Sequence, residues 1–499
     1  MTDLRSNDLN HPGWGRVTLS FTLAVTVLRV LVVYSTPLPL FFDEAQYWVW
    51  AQDLALGYYS KPPMIAWAIA ATTAVCGDGA GCVRLSAPLF HGATALVLFF
   101  LCRHFYDART GFWATVTYSV LPGVTLSAVV VSTDVFLLFF WACALLVYTR
   151  ADQSRDLRWW ALLGLVLGLG LLSKYAMIFF IVCLFIDAVW RKSAPSLLRR
   201  PGFWTSLAVA SIVYLPNFYW NWANDFPSYL HTGDNINLGS DLFNPISGLE
   251  FLGSQFGVFG PILFGFLLLL VWRDLRQTSS RTALTDAQRR LYAFSLPVIV
   301  IITVEALLSR SHANWAAVSY IAATILVVGE LRRLDKSVWL KASLALHVSI
   351  AVAFYNFDLI ARAFDLPITP GLDPARRLRG WDRAGDWAVE IRQDYPGVRL
   401  LFDDRKVMSE MLYYVQPHPL ESVMWNPKGQ RNNNFEMTTD LSGATGENFL
   451  YLIKHDWPGR AGDSFASSKH IATFRSRAFT GDVLELRAYL LEDFRGYQK

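Results

Sequence analysis

The stretch VTLSFTLAVTVLRVLVVYST at residues 17–36 is followed, after a short linker, by FFDEAQYW at residues 41–48. A transmembrane helix needs about 20 apolar residues, and residues 17–36 meet that length. The whole chain has a similar character, because 53% of its residues are hydrophobic and 17% are charged, whereas a soluble domain has about a quarter charged residues. The sequence therefore predicts a polytopic α-helical membrane protein.

Further apolar runs predict the other membrane spans. Those that qualify by length are centred near 83–102, 111–130, 134–149, 203–220, 252–272, 291–308, 314–330 and 338–356. The run from Trp159 to Trp190 is too long for one span and has basic residues at both ends, Arg158 before it and Arg191 after it. Because basic residues favour the inner side of a membrane, this run predicts a hairpin of two helices with Lys174 at its outer turn, which makes about 11 spans in total.

The segment from Pro62 to Val75 decides the predicted sidedness of the chain. It is short for a span and begins with two prolines, which favours an interfacial or re-entrant segment. If this segment does not cross, the basic clusters at 103–109, 150–158, 191–200, 273–290 and 332–336 all lie inside. The loop 37–82, Asp134, Lys174 and the chain beyond residue 357 are then expected outside.

The chain changes character near residue 357. Alternating segments at 398–402 and 448–453 predict strands, and Trp381–Asp394 predicts a helix. We therefore expect a transmembrane domain at residues 1–357 and a soluble α/β domain at residues 358–499. The polar N-terminus lacks the pattern of a cleaved signal peptide, so the first helix is expected to stay as an anchor. The net charge of +4 is too small to indicate nucleic acid as a partner.

Asp43 and Glu44 place two adjacent carboxylates at the predicted membrane surface. An aromatic belt accounts for Tyr47 and Trp48 without any function. It does not account for an acid pair at the depth of the lipid headgroups. The residues alone leave two interpretations open: carboxylates that are simply solvated at an interface, or carboxylates of an active site.

Further motifs lie in the predicted outer segments. They are GYYSKPP at 57–63, STD at 132–134, LLSKY at 171–175 and HANW at 312–315. With the Asp43–Glu44 pair, this ordered set resembles the GT-C glycosyltransferases of the protein O-mannosyltransferase and lipid A aminoarabinose transferase type, which are glycosyltransferase families 39 and 83. The resemblance covers roughly residues 20–330. It implies a GT-C membrane domain with interfacial helices in the first outer loop.

The resemblance also implies a reaction, in which an acceptor hydroxyl displaces a polyprenyl phosphate from the sugar C1 with inversion. Such a reaction needs a base for the hydroxyl and cations for the departing phosphate. Asp43 is the expected base, and Glu44 is expected to raise its proton affinity or to orient substrate. The expected phosphate-binding residues are Lys61, Lys174 and Arg310, and the expected substrate-binding residues are Tyr59, Asp134, His231, His312 and Asn314.

Each of these residues also has a simpler interpretation. A lysine or arginine near a membrane surface often extends to lipid headgroups, Asp134 can cap the helix that starts beside it, and a lone histidine is often an ordinary polar contact. Ser60 stands where the aminoarabinose enzyme has a carboxylate associated with a bound metal ion. No metal ligand is therefore assigned, and a divalent metal stays open as a cofactor. A disulfide between Cys76 and Cys82 also stays open.

The expected function is that of an inverting glycosyltransferase with its site at the outer, periplasmic face of the cell inner membrane. Its expected partners are a polyprenyl-phosphate-sugar donor, an envelope lipid, glycan or protein acceptor, and membrane lipids. One alternative is a flippase for a lipid-linked sugar, for which internal repeats and ionisable residues at mid-membrane would be typical. Another is a non-catalytic scaffold. The sequence leaves the sugar, the acceptor and the oligomeric state open.

Overall fold

The computed structural model describes residues 13–236, 243–276, 284–309 and 311–497. Helices make up the first part of the chain, and a small mixed sheet with flanking helices makes up the last part. Arg310, one of the predicted phosphate-binding residues, lies outside the described residues.

The helices of the first part include long apolar helices and several short ones. In chain order they are α1 (Gly13–Ser35), α2 (Phe42–Gln52), α3 (Met64–Cys76), α4 (Ala80–Arg84), α5 (Ser86–Phe105), α6 (Ala108–Val120), α7 (Pro122–Ser127), α8 (Thr133–Gln153), α9 (Leu157–Ser173), α10 (Phe179–Trp190), α11 (Ala194–Arg199), α12 (Pro201–Ala223), α13 (Pro227–Ile236), α14 (Pro245–Val258), α15 (Pro261–Arg276), α16 (Asp286–Ala293), α17 (Leu296–Leu308), α18 (Ser319–Arg333), α19 (Ser337–Tyr355) and α20 (Phe357–Ala363). Short 3-10 turns occur at Tyr175–Ile178 and Ala313–Ala316.

Among the described residues, 5 helical stretches are long and apolar enough to cross a membrane. They are α1, α4 with α5, α8, α16 with α17, and α19. The pair α14 and α15 is bent by 118°, and α3, α9 and the stretch Tyr175–Trp190 are apolar but shorter. The described helices therefore agree with a membrane protein, while the count of about 11 spans stays a prediction.

Prolines break two of the predicted runs. The run at 111–130 divides into α6 and α7, with Pro122 as the first residue of α7, and the run at 252–272 bends where Pro261 begins α15. Proline lacks an N–H and has a fixed φ, so it begins a helix more readily than it continues one. Gly260 precedes this bend with a φ of 93°, and a Cβ there would collide with the imidazole of His347. Only glycine suits that position.

The predicted hairpin at 159–190 is present as α9 and α10. α9 ends beside Lys174, whose ammonium is 2.6 Å from Asp134 at the start of α8. Arg191, which follows α10, is 3.0 Å from Asp152 at the other end of α8. The two helices therefore run in opposite directions, with Lys174 at the turn between them.

Buried ion pairs join several helices at the end of α8 that lies away from Lys174. Asp152 is 2.6 Å from Arg290 and 3.2 Å from Arg200, and Asp187 is 2.7 Å from Arg191. Buried charges of this kind are strongly destabilising when one partner is removed. The pairs thus hold the basic clusters of the sequence together at one end of the helical bundle.

The C-terminal region, residues 381–497, is built around a five-stranded sheet with the order β2-β1-β3-β5-β4. Its elements are β1 (Arg399–Phe402), β2 (Val423–Met424), β3 (Phe449–Ile453), β4 (Phe465–Ala478) and β5 (Gly481–Phe494), with α21 (Trp381–Asp394), α22 (Arg405–Tyr414), α23 (Asn434–Thr438) and α24 (Gly459–Asp463). β1 is parallel to β2 and β3, whereas β5 is antiparallel to β3 and β4. The sequence predicted β1, β3 and α21, but not the long β4–β5 hairpin.

The C-terminal region packs against the segment between α1 and α5. Tyr413 donates a hydrogen bond of 2.6 Å to the carbonyl of Asp78, and its ring lies edge-on to Trp48 at 5.0 Å. The hydroxyl of Tyr414 accepts a hydrogen bond of 2.6 Å from the N–H of Leu40. These contacts lay α22 along α2. The first turns of the two helices also meet, where Arg405 is 3.2 Å from Asp43.

Cys76 and Cys82 are joined by a disulfide bond. The bond closes the short loop between α3 and α4, which also contains Asp78. The carboxylate of Asp78 accepts a hydrogen bond of 2.8 Å from the indole of Trp48. The pairing that the sequence left open is therefore present, and it lies next to the surface on which the C-terminal region packs.

Candidate active site

A polar cavity of about 360 Å³ lies where α2, the loop before α3, the start of α8 and α13 meet. Most of the predicted site residues line it. They are Asp43, Tyr59, Lys61, Asp134, Lys174, His231, His312 and Asn314. The fold therefore brings together polar side chains that the sequence distributes over distant outer segments.

Asp43 lies in the first turn of α2, with Phe41 at the N-cap. Its side chain is 37% exposed, and it lines the cavity. Oδ1 accepts a hydrogen bond of 3.2 Å from Nη1 of Arg405. Within the described ranges no hydrogen bond reaches Oδ2, so this oxygen can accept one from a ligand. A carboxylate in this setting has the geometry that a general base needs.

Glu44 is fully buried and does not line the cavity. Its carboxylate accepts hydrogen bonds from the guanidinium of Arg84 at 2.8 Å and from the N–H groups of Phe41 at 2.9 Å and Val131 at 2.8 Å. These bonds tie the start of α2 to α4 and to the chain that enters α8. The two adjacent carboxylates thus differ in placement: Asp43 faces the cavity, and Glu44 holds the backbone that carries it.

Asp134 connects three separate segments at the cavity wall. Its Oδ1 accepts a hydrogen bond of 2.6 Å from Lys174, and its Oδ2 accepts one of 2.7 Å from the amide of Asn314. Ser132 is the N-cap residue of α8, so Asp134 lies inside the first helical turn and does not cap the helix. Its carboxylate instead joins α8 to the hairpin turn and to the HANW segment.

Lys61 is a largely buried cation in the cavity. Its ammonium forms no ion pair or hydrogen bond within the part of the chain that the structure describes. Burial lowers the pKa of Lys61, and the nearby cation of Lys174 lowers it further. An anionic ligand would counteract both effects, because an opposite charge favours the protonated form. Lys61 is therefore well suited to bind the negative end of a substrate.

The histidines of the cavity lie beside aromatic rings. His231 on α13 is 5.2 Å from Tyr59, and His312 is edge-on to Trp315 at 5.3 Å, both measured between ring centroids. Burial lowers the pKa of His231 to about 4, and the cations of Lys61 and Arg405 act in the same direction. His231 is therefore neutral at pH 7, and a neutral imidazole can both donate and accept hydrogen bonds with sugar hydroxyls.

Some cavity residues were not predicted from the sequence. Arg405, Asn432 and Asn433 come from the C-terminal region, and Gln46 lies one helical turn after Asp43. The spacing of Gln46 is a usable signal, since residues three apart share a helix face. Nothing local marks Arg405, because only the packing of α22 on α2 brings it to the site.

A second, mainly apolar cavity of about 370 Å³ adjoins the polar one. The two share Ser132, Asp134 and Asn314 in their walls. The other walls of the apolar cavity include Leu121, Val124, Val130, Leu138, Val258 and Tyr320. A molecule with a polar head and a hydrocarbon chain would match this pair of cavities, with its head near Lys174.

Among the described residues, no group of three or more His, Cys, Asp or Glu side chains is arranged to hold a metal ion. Each carboxylate in the cavity is instead hydrogen-bonded to a cationic side chain, Asp43 to Arg405 and Asp134 to Lys174. A divalent metal stays open as a cofactor, as the sequence left it.

Comparisons with known proteins agree on the kind of molecule that carries this site. Residues 60–220 match a family model described as dolichyl-phosphate-mannose-protein mannosyltransferase. The chain is 41% identical over 433 residues to the lipid A galacturonosyltransferase RgtD of Rhizobium johnstonii, which covers 86% of this chain and 89% of the relative. It is also 29% identical over 227 residues to the lipopolysaccharide core galacturonosyltransferase RgtA of the same organism, covering 41% of each chain.

Among solved structures, the fold is similar to that of ArnT from Cupriavidus metallidurans bound to undecaprenyl phosphate. The TM-score is 0.62 at 15% sequence identity, and the match covers 96% of this chain and 98% of ArnT. At this identity the similarity shows the fold alone. The match to RgtD, at 41% identity over most of both chains, shows the family as well: the chain belongs to the GT-C family of membrane glycosyltransferases.

Proposed function

We propose that this enzyme transfers a galacturonosyl residue from a polyprenyl phosphate to lipid A, with inversion at C1, at the outer face of the inner membrane. The extended identity to a lipid A galacturonosyltransferase supports the sugar and the acceptor. The observation that supports a lipid-linked donor is the adjacency of the two cavities. The polar cavity of about 360 Å³ and the apolar one of about 370 Å³ share Ser132, Asp134 and Asn314 in their walls, and this arrangement suits a sugar phosphate attached to a long hydrocarbon.

Asp43 is the proposed general base. The acceptor hydroxyl gives its proton to Oδ2 of Asp43 while its oxygen forms the new bond to C1. The bond between C1 and the phosphate oxygen breaks at the same time, and its electron pair leaves with the polyprenyl phosphate. Attack from the side opposite the leaving group inverts C1. A well-positioned base contributes about 100- to 10,000-fold to such a rate.

Lys61 and Lys174 are the proposed partners of the phosphate. Lys61 has no counter-ion among the described side chains, so it can offset the charge of the leaving group. Lys174 lines the polar cavity and is 2.6 Å from Asp134, which lies in the walls of both cavities. Cations that are already in place stabilise a developing charge without further reorganisation. Arg310 follows α17 in the chain and keeps its predicted role as a third cation.

Two observations support an outer-face site. The cavity lies at the end of α8 away from the ion-paired cluster of Arg191, Arg200 and Arg290, and basic residues favour the inner side. The Cys76–Cys82 disulfide lies in the segment 37–82, which also contains Asp43 and Lys61, and disulfides persist in oxidising compartments such as the periplasm.

Transfer by purified enzyme tests the proposal. Polyprenyl-phosphate-galacturonic acid and lipid A are incubated with the protein in detergent, and the product is followed by mass spectrometry. Asp43→Asn should lower the rate by about 100- to 10,000-fold. Asp53→Asn is the matched control, because Asp53 follows the same helix but does not line the cavity. If Asp43→Asn keeps an activity near the unmodified level, Asp43 is not the general base. Lipid movement in vesicles without any sugar transfer would instead support a flippase.

A further inference from the structure

The guanidinium of Arg405 lies beside Asp43, although it comes from the C-terminal region. Nη1 donates to Oδ1 of Asp43 at 3.2 Å and to Oε1 of Gln46 at 2.6 Å. The Cζ atom lies 5.2 Å from the centroid of the Phe42 ring. Arg405 is also the first residue of α22, whose N-cap Asp404 accepts hydrogen bonds from two backbone N–H groups of the first turn. Arg405 is therefore fixed at two points: its backbone lies in the capped first turn of α22, and its guanidinium contacts Asp43 and Gln46.

The other edge of this guanidinium is open to a ligand. In the described part of the chain, Nε and Nη2 of Arg405 form no hydrogen bond. The side chain is 37% exposed and lines the polar cavity. A guanidinium edge with two parallel N–H groups matches the two oxygens of a carboxylate, and such paired bonds are stronger than neutral ones. The cavity thus contains a docking edge for a planar anion beside the proposed base.

The charges in the cavity can be divided between the donor phosphate and Arg405. Lys61, Lys174 and Arg405 supply three cations, against the two carboxylates of Asp43 and Asp134. The donor phosphate accounts for the excess if it binds near Lys61 and Lys174. Arg405 then stays hydrogen-bonded to Asp43, the carboxylate that is proposed to accept the proton of the acceptor hydroxyl. A carboxylate on the sugar would give this guanidinium a second partner.

We propose that Arg405 is the specificity-determining residue for the donor: its free Nε–Nη2 edge binds the carboxylate of a uronyl group, while Nη1 stays hydrogen-bonded to Oδ1 of Asp43. This inference rests on the proposed glycosyl transfer. A neutral hexose lacks the carboxylate and leaves this guanidinium edge without its partner, so it is expected to bind more weakly. The same guanidinium therefore contacts both the sugar carboxylate and the proposed base.

A binding measurement tests Arg405 without any transfer. Galacturonic acid 1-phosphate and galactose 1-phosphate differ only at C6, and calorimetry gives the Kd of each for the purified full-length protein. The unmodified protein should bind the uronate more tightly by about 10-fold, as expected for one charge-assisted hydrogen-bonded pair. Arg405→Gln should remove this preference, and Arg405→Lys should keep only part of it, because an ammonium has no paired edge. An unchanged preference in Arg405→Gln would overturn the inference.

Transfer kinetics supply the second measurement. With polyprenyl-phosphate donors of the same two sugars, Arg405→Gln should lower kcat/KM for galacturonosyl transfer by about 10- to 100-fold. Galactosyl transfer should fall less, because galactose has no carboxylate for Arg405 to bind, so the ratio of the two kcat/KM values should fall. Lys406→Gln is the control, because Lys406 follows in the same helical turn but does not line the polar cavity. Thermal unfolding of each variant shows whether it is folded.

The possible failures are distinguishable. Equal losses for both donors in a folded Arg405→Gln variant would overturn the inference, since Arg405 would then act on the shared phosphate. If the unmodified enzyme transfers neither sugar, the proposed function fails, and the ratio of the two Kd values still decides whether Arg405 recognises the carboxylate.

Discussion

Lys174 donates a hydrogen bond of 2.6 Å to Asp134, and the bond joins the turn after α9 to the first turn of α8. The amide of Asn314 completes the arrangement with a hydrogen bond of 2.7 Å to the other oxygen of Asp134. Both charged side chains are mostly buried, with 19% of Lys174 and 12% of Asp134 exposed. The pair lies in the wall where the polar and apolar cavities meet, so each partner can affect how a lipid phosphate binds.

The two partners of this pair should not be equivalent for transfer. Lys174→Met leaves the carboxylate of Asp134 without its cation and facing the donor phosphate, so we expect a loss of kcat/KM of about 100-fold or more. Asp134→Asn keeps the cation at Lys174 and should cost less, about 10-fold or below. Steady-state kinetics with varied donor concentration measure both.

The double variant Lys174→Met/Asp134→Asn gives the internal check on this pair. It should be more active than Lys174→Met alone, because the uncompensated carboxylate is gone. Equal losses in the two single variants, with no recovery in the double variant, would indicate that the pair only supports the fold.

Much of this site is predictable because its residues lie in short outer segments between long apolar runs. Asp43, Lys61, Asp134 and Lys174 each lie within a few residues of a predicted helix end, and the positive-inside rule assigns all those ends to one face. Once the ends of a helical bundle are assigned, their polar residues must lie near each other. The polar cavity contains all four.

The roles of Glu44 and Arg405 were not predictable, for two different reasons. Consecutive residues on a helix point about 100° apart, so the neighbour of a cavity carboxylate need not face the cavity. For this reason the side chain of Glu44 points into the protein, where it pairs with Arg84. Arg405 is more than 350 positions from Asp43 along the chain, and its placement depends on how Tyr413 and Tyr414 pack on the first outer segment. Apolar runs likewise show where helices lie but not where Pro122 or Pro261 breaks them.

Lys61 should make donor binding depend on pH. Burial and the cation of Lys174 lower its pKa, so Lys61 loses its charge at a lower pH than the usual lysine value of about 10.4. The donor phosphate stays negative over this range. KM for the donor should therefore rise as the pH increases through the lowered pKa of Lys61. Donor titrations between about pH 7 and pH 10 measure the effect.

Lys61→Arg is the diagnostic variant for this pH dependence, since a guanidinium stays protonated throughout the range. It should remove the alkaline rise of KM even if it lowers the rate overall. A rise that is the same in Lys61→Arg and in the unmodified enzyme would assign the titration to another group.

Glu44 should matter for stability and not for the chemical step. Both side chains of the Glu44–Arg84 pair are only 1% exposed, and removing one partner of a buried pair costs about 3–5 kcal/mol. Glu44→Gln should therefore lower the thermal unfolding temperature in detergent, while the rate per folded molecule falls little. Glu44→Gln/Arg84→Met should recover part of the stability. If Glu44→Gln unfolds at the same temperature as the unmodified protein but has lost transfer activity, Glu44 takes part in the chemical step.

Removal of divalent metal ions should leave transfer close to its starting rate. Mg²⁺ is usually bound through one or two carboxylates together with substrate phosphates. The cavity offers the carboxylates of Asp43 and Asp134, and each already accepts a hydrogen bond from a cation, Arg405 at 3.2 Å and Lys174 at 2.6 Å. A metal ion would have to displace one of these cations or work against its charge.

Dialysis against EDTA, followed by kinetics with and without added Mg²⁺, Mn²⁺ or Zn²⁺, measures the outcome. Loss of activity that one of these ions restores would contradict the expectation. Arg405→Gln sharpens the comparison, because it uncovers Asp43 and should make the enzyme more responsive to added metal than the unmodified protein.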